Sequence, residues 1–225
     1  MKKGLLIHSY NCNEPNWLHA VWGYPPDNPG RLVTAVKVIL EEGIDVALIC
    51  GSAGEKDGKK ECWWMRDQLY QHLEEIRLFA VYPVFYQYTI REIREVLDRV
   101  LVVREKDTAA NTAGEIEYAG KFFTEAEVEK VMLVTSPDHI SRALRDVLVN
   151  WQNNYPKLAA NVFGVPSVTL YSERSAEDAE IAKMANVVIA EPPVMKKFNL
   201  ARMFGILNNP GALAEIEAVL KKYGK

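Results

Sequence analysis

Val131-Met-Leu-Val-Thr-Ser-Pro-Asp-His-Ile-Ser-Arg-Ala143 is the stretch on which the fold turns. Val131 to Val134 is a short unbroken apolar run, the pattern of a strand covered on both faces. Ser136 stands where a helix N-cap belongs, and Pro137 follows at the first helical position, where its missing N–H costs nothing. The helix beyond presents Ile140, Ala143, Leu144, Val147, Leu148 and Trp151 as one apolar stripe. His139, Arg142 and Asp146 fall together beside that stripe. An imidazole and a guanidinium thus arrive at the mouth of a strand, next to free backbone N–H groups and the positive end of a helix dipole. An α/β protein builds a site for an anion in this way. The plain reading of the same residues is that Ser136 and Pro137 only start a helix, with Arg142 and Asp146 an ordinary i, i+4 pair on its edge.

Three earlier apolar runs end in the same manner. Leu5 to Ile7 gives way to His8-Ser9-Tyr10-Asn11, and Val46 to Cys50 breaks into Gly51-Ser52-Ala53-Gly54. Val100 to Val103 empties into the polar segment Arg104 to Glu115. Amphipathic helices separate these runs. Arg31 opens one with Leu32, Ala35, Val36, Ile39 and Leu40 on a face, ended by Gly43. A second runs from about Glu61 to Ile76 and buries Met65, Leu69, Leu73 and Ile76, and a third carries Ile90, Ile93, Val96 and Leu97. Asn161-Val-Phe-Gly is a candidate fifth strand, and Val81 to Tyr88 reads as an edge strand or a connection. The alternation predicts a three-layer, Rossmann-like α/β fold: a mainly parallel sheet with helices on both faces and a helical C-terminal portion. One domain is expected over 1–225, with a core at 1–165 and a mostly helical 166–225.

In such a sheet the strand C-termini face one way and ligands bind there. Four polar junctions are therefore expected to line one cleft: His8, Ser9 and Asn11; Gly51, Ser52 and Gly54; Glu105, Thr108, Asn111 and Thr112; and Thr135, Ser136, His139 and Arg142. Gly51 and Gly54 let the backbone turn tightly and approach a ligand. Thr112 and Glu115 have capping-box spacing, so helix initiation is the plain account of both. The loop over 11–30, with Trp17, Trp22, Tyr24 and three prolines, is long for an α/β connection and is a candidate lid or substrate wall. Arg31 and Arg142 can fork onto carboxylate or phosphate oxygens. His139, near a helix N-terminus, is disfavoured as imidazolium and available as a neutral acid/base partner. Glu105 is the carboxylate expected to orient a histidine or bind a ribose.

With 225 residues, 48% of them hydrophobic, the chain can bury one α/β core. A formal net charge of −3 without a Lys/Arg stripe excludes a nucleic-acid surface. Cys12, Cys50 and Cys62 are odd in number and lack metal-ligand spacing, so free thiols in a reducing compartment and no metal are expected. The opening Met-Lys-Lys-Gly-Leu-Leu-Ile-His is too short an apolar run for a signal peptide, and nothing later approaches a membrane span. A cytoplasmic protein without a membrane partner is the expectation.

The run Val134-Thr-Ser-Pro-Asp-His139-Ile-Ser-Arg142-Ala143 resembles the VTS-x-x-H-x-x-RA signature of the YdcF/SanA/ElyC-like family of bacterial proteins, a domain family of unknown function. Arg31 and Ala35 match its R-x-x-x-A, and Gly51 to Gly54 its glycine turn. Glu105, Thr108, Asn111 and Thr112 are similar to its E-x-x-S-x-N-T segment, with one extra residue before Asn111 and Thr in place of Ser. The resemblance implies a Rossmann-like fold and a polar pocket for a nucleotide-like ligand, with S-adenosylmethionine among the candidates. Together with the residues, it points to a small molecule with an anionic or phosphorylated group. Hydrolysis or group transfer with His139 as acid/base partner is one expectation. A non-catalytic ligand-binding or regulatory module using the same pocket is the other.

Overall fold

The computed structural model describes residues 1–51, 54–105 and 111–169. Five strands form its main sheet: β1 (Lys3–His8), β2 (Val46–Cys50), β3 (Leu101–Arg104), β4 (Lys130–Thr135) and β5 (Val162–Pro166). They lie in the order β3-β2-β1-β4-β5, and every pairing is parallel. The helices are α1 (Trp17–Val21), α2 (Arg31–Glu42), α3 (Glu61–Gln71), α4 (Ile90–Val100), α5 (Thr112–Glu125), α6 (Pro137–Asn154) and α7 (Pro156–Ala159). This is a Rossmann-like α/β fold. The chain winds outward from β1 to β3, then returns to the centre and winds the other way from β4 to β5. The strand order reverses between β1 and β4, and that reversal opens a crevice beyond their C-terminal ends.

Side-chain alternation assigns the two faces. Leu5 and Ile7 of β1 join a core with Leu32, Val36 and Ile39 of α2, Met65 and Leu69 of α3, and Ile93 and Leu97 of α4. Leu6 points the other way, into a core with Ile116, Ala119 and Phe123 of α5 and Ala143, Val147 and Trp151 of α6. The α5–α6 pair is tied by Trp151 Nε1, which donates to the Ile116 carbonyl at 2.8 Å. Gly120 lets the two helices close, since a Cβ there would lie 2.5 Å from the Tyr155 ring and 2.6 Å from Trp151 Nε1. Gly43, at φ 63°, terminates α2 in the left-handed conformation that favours glycine.

Several local expectations give way to tertiary context. On α6 the buried positions are Asp138, His139, Ala143, Val147 and Trp151, whereas Leu148 is 48% exposed. The first turn of α6 lies over the polar C-terminal edge of the sheet, so the residues it buries are polar ones. Val81 to Tyr88 contains a 3-10 turn at Pro83–Tyr86 instead of a strand; Pro83 has no N–H to give a ladder. The helix from Glu61 stops at Gln71, and a 3-10 turn over Leu73–Leu78 then buries Leu73 and Ile76. The 11–30 segment, expected as a lid or substrate wall, has regular structure of its own. It folds into α1 and a small hairpin (Gly23–Tyr24 with Asn28–Pro29), and Trp17, Val21 and Trp22 are buried in the core. Cys12, Cys50 and Cys62 are buried free thiols. Among the described residues no helix is long and apolar enough to cross a membrane. The helices expected beyond 170 lie outside the described residues, as do Ser52 and Thr108.

Candidate functional site

His8 is the last residue of β1 and sits on the α5–α6 side of the sheet. Its Nδ1 meets the carboxylate of Glu115, which comes from the first turn of α5. The expected capping role of Thr112 and Glu115 is taken by Asn111, whose Oδ1 accepts from the Gly114 N–H at 2.9 Å. Glu115 therefore turns inward, is 3% exposed, and also accepts from Ser9 Oγ. A second buried carboxyl, Glu61 at the start of α3, lies 2.6 Å from the same Ser9 Oγ, and its other oxygen accepts from the Gly54 N–H at 2.9 Å. Gly51 and Gly54 make room for these carboxyls. A Cβ at Gly51 would collide with Ser9 Oγ and lie 2.7 Å from Glu115 Oε1, and one at Gly54 would lie 2.8 Å from Glu61 Oε2.

Across the crevice, Thr135 and Ser136 end β4 and are fully buried. Ser136 occupies the N-cap position of α6, yet its hydroxyl makes no cap hydrogen bond and accepts instead from Arg31 Nε at 3.0 Å. Arg31 Nη1 donates to the carbonyls of His8 at 3.1 Å and Ser9 at 2.6 Å, and its guanidinium lies over the Tyr10 ring. The expected anion fork is thus turned into the protein. Arg31 ties the exits of β1 and β4 to the start of α2, and burial pulls its pKa down.

His139 is 7% exposed, with its ring centroid 5.1 Å from that of His8. Arg142 Nη2 donates to Thr112 Oγ1 at 3.0 Å and lies 3.4 Å from His139 Nε2. Burial, reinforced by His8, Arg31 and Arg142, holds the His139 pKa well below the ordinary imidazole value, so the ring is neutral at pH 7. His8 Nδ1 and Glu115 Oε2 meet as an ion-pair contact, and of the other buried polar atoms here His8 Nε2 and Thr135 Oγ1 have no hydrogen-bond partner among the described residues. His8 and Thr135 follow Ile7 and Val134, which are paired across β1 and β4 and belong to the opposite core, so both side chains lie on the α5–α6 side.

Buried polar atoms nearly always have a partner, so His8 Nε2 and Thr135 Oγ1 are candidate contact points for an outside group or an ordered water. With Glu115 against Nδ1, Nε2 is the ring nitrogen of His8 left to face an outside group. The resulting site holds two imidazoles, of which His139 is neutral, a hydroxyl and the half-buried guanidinium of Arg142. Among the described residues no group of three or more His, Cys, Asp or Glu side chains is placed to hold a metal ion.

The structure brings together His8, Ser9, Gly51, Gly54, Thr112, Thr135, Ser136, His139 and Arg142 from the four junctions, with Arg31 from the start of α2. Glu105 stands apart: it is exposed, and its carboxylate accepts from Trp63 Nε1 at 3.1 Å. Orienting a histidine falls to Glu115 instead. Asn111 is committed to its cap, and Asn11 Oδ1 accepts from the Asn13 N–H at 3.1 Å. Glu61 and Glu115 were missed by sequence reasoning, although a signal was present. Glu61 heads an i, i+4, i+8 series with Met65 and Leu69, and Glu115 one with Ala119 and Phe123. A glutamate in line with a buried apolar stripe is a carboxyl aimed at the interior.

The chain matches no family model, no curated protein and no solved structure.

Proposed function

We propose that the chain is a YdcF-like protein that binds a nucleotide-like or phosphorylated small molecule at the mouths of β1 and β4 and acts on it by hydrolysis or group transfer. His8 serves as the base, oriented by Glu115, and His139 is the acid/base partner beside it. Arg142 and the N-terminus of α6 receive the anionic group. The observation that carries this reading is the orphaned pair His8 Nε2 and Thr135 Oγ1, set where the strand order reverses. The His8–Glu115 contact supports it, because a carboxylate on one ring nitrogen prepares the other to take a proton.

Thermal denaturation with adenine nucleotides, S-adenosylmethionine, sugar phosphates and inorganic phosphate tests the binding step. A ligand at 100 times its Kd stabilises the native state by about 2.7 kcal/mol. At least one saturable shift is expected, and Arg142→Ala should abolish it. A panel without any shift at millimolar concentration contradicts the proposal. If wild-type protein turns a bound ester over, His8→Gln should lower the rate roughly 10²–10⁴-fold. Saturable binding without turnover of any phosphate or nucleotide ester would assign the pocket to a non-catalytic module.

A further inference from the structure

We propose that Glu61 is a neutral carboxylic acid in the resting protein, linked through Ser9 to an ionised Glu115, and that its proton lets the site receive an anion without net negative charge. The inference rests on the reading of this crevice as an anion site and deepens it. Its basis is a count of protons. Ser9 Oγ is hydrogen-bonded to Glu61 Oε1 and to Glu115 Oε1. A hydroxyl has a single proton to donate, so it satisfies one carboxylate, and the other carboxyl must bring its own proton to bond rather than repel. Both carboxyls are buried, at 1% and 3% exposure, where an uncompensated second charge is costly.

The surroundings assign the proton to Glu61. Glu115 faces two donors, His8 Nδ1 and the Ser9 hydroxyl, whereas Glu61 outside the bridge has the Gly54 N–H. With the proton on Glu61 Oε1, the chain runs from Glu61 to Ser9 to Glu115, with His8 Nδ1–H donating to the second Glu115 oxygen. Each donor then has an acceptor. The titratable and charged groups around Glu61 are His8 of β1, Cys12 of the loop after β1, Arg31 of α2, Cys50 of β2, Cys62 of α3 and Glu115 of α5. Burial first, and Glu115 next among the raising influences, push the Glu61 pKa up, against its hydrogen bonds to Ser9 and Gly54 and the nearby His8. Arg31 already faces Asp138 and Glu115. An ionised Glu61 would add a further negative charge, against the ligand the proposed site takes.

Infrared spectroscopy of the ligand-free full chain tests this without any ligand, so a silent ligand panel and a failure here are separate results. A buried protonated-carboxyl carbonyl band is expected at pH 7 in the wild type and is absent from Glu61→Gln. The glutamine reproduces the neutral acid, its amide N–H donating to Ser9 and its oxygen accepting from Gly54. Glu61→Gln should therefore fold with an unchanged or higher Tm at pH 7. Because the folded pKa of Glu61 is raised, its contribution to stability is complete below the unfolded value, roughly 4.3, and is lost as pH rises. The wild type should accordingly fall behind Glu61→Gln in Tm with increasing pH. No protonated-carboxyl band in the wild type, a band that persists in Glu61→Gln, or failure of Glu61→Gln to fold would each overturn the proposal.

Discussion

Two arginines of this chain show how little a residue type says until its donors are traced. Arg31 directs its guanidinium to Ser136, His8 and Ser9 and is buried, while Arg142 sits half-buried beside His139. Substitution with lysine should separate them. Arg31→Lys cannot reproduce the fork across two strand exits, and hydrogen bonds from a charged donor are worth roughly 1.5–3 kcal/mol each. A loss of about 2 kcal/mol or more in urea denaturation is expected. Arg142→Lys should leave the urea midpoint nearly unchanged and weaken ligand binding. His139 makes a pH prediction of definite sign. Its folded pKa is depressed, so the stability it contributes is present above the unfolded value of about 6.5 and is lost as pH falls below it. The wild type should lose Tm on acidification more steeply than His139→Gln, and parallel curves would contradict the buried neutral ring. His139 and Arg142 were legible as site residues because both stand at a strand mouth. The carboxyl that orients His8 was not, since Glu105 and Glu115 are equally acidic and only the helical stripe distinguishes them.

At the scale of elements, the short strand-to-helix junctions govern what the site can be. Gly51 and Gly54 were readable as a tight turn, but the backbone leaves space there for Glu61, Glu115 and Ser9. Gly51→Ala forces a methyl into the Ser9 hydroxyl, and overpacking of this kind costs about 1–3 kcal/mol. A lowered denaturation midpoint with loss of ligand binding is expected, whereas a neutral Gly51→Ala would show that the carboxyl cluster is loose. Asn111→Ala removes the α5 cap and should cost about 1 kcal/mol, displacing Glu115 from His8. The apolar period located α2 and α4, and the start of α5 was marked only by capping-box spacing. The same period placed Leu148 inside because periodicity marks an apolar stripe but not how much of its width a neighbour covers, and Leu148 lies past the covered positions Val147 and Trp151.

For the molecule as a whole, the apolar runs announced a parallel α/β sheet, because strands covered on both faces read as continuous hydrophobic segments. The order of those strands was not readable. Val46–Cys50 and Lys130–Thr135 are similarly apolar, and nothing local to either says that they flank β1 on opposite sides. That arrangement makes the β1–β4 crevice and brings His8, from the start of the chain, beside His139. The chain has four histidines, and the other two, His19 in α1 and His72 at the C-terminus of α3, stand outside the crevice cluster. Nitrogen-15 spectra of histidine-labelled protein, titrated with adenine nucleotides, S-adenosylmethionine, sugar phosphates and inorganic phosphate, therefore read the crevice against an internal control. Saturable movement of the His8 and His139 resonances is expected with at least one of these ligands while His19 and His72 stay fixed. Ring signals of His8 and His139 that remain unmoved across the whole panel at millimolar concentration would contradict the proposed site.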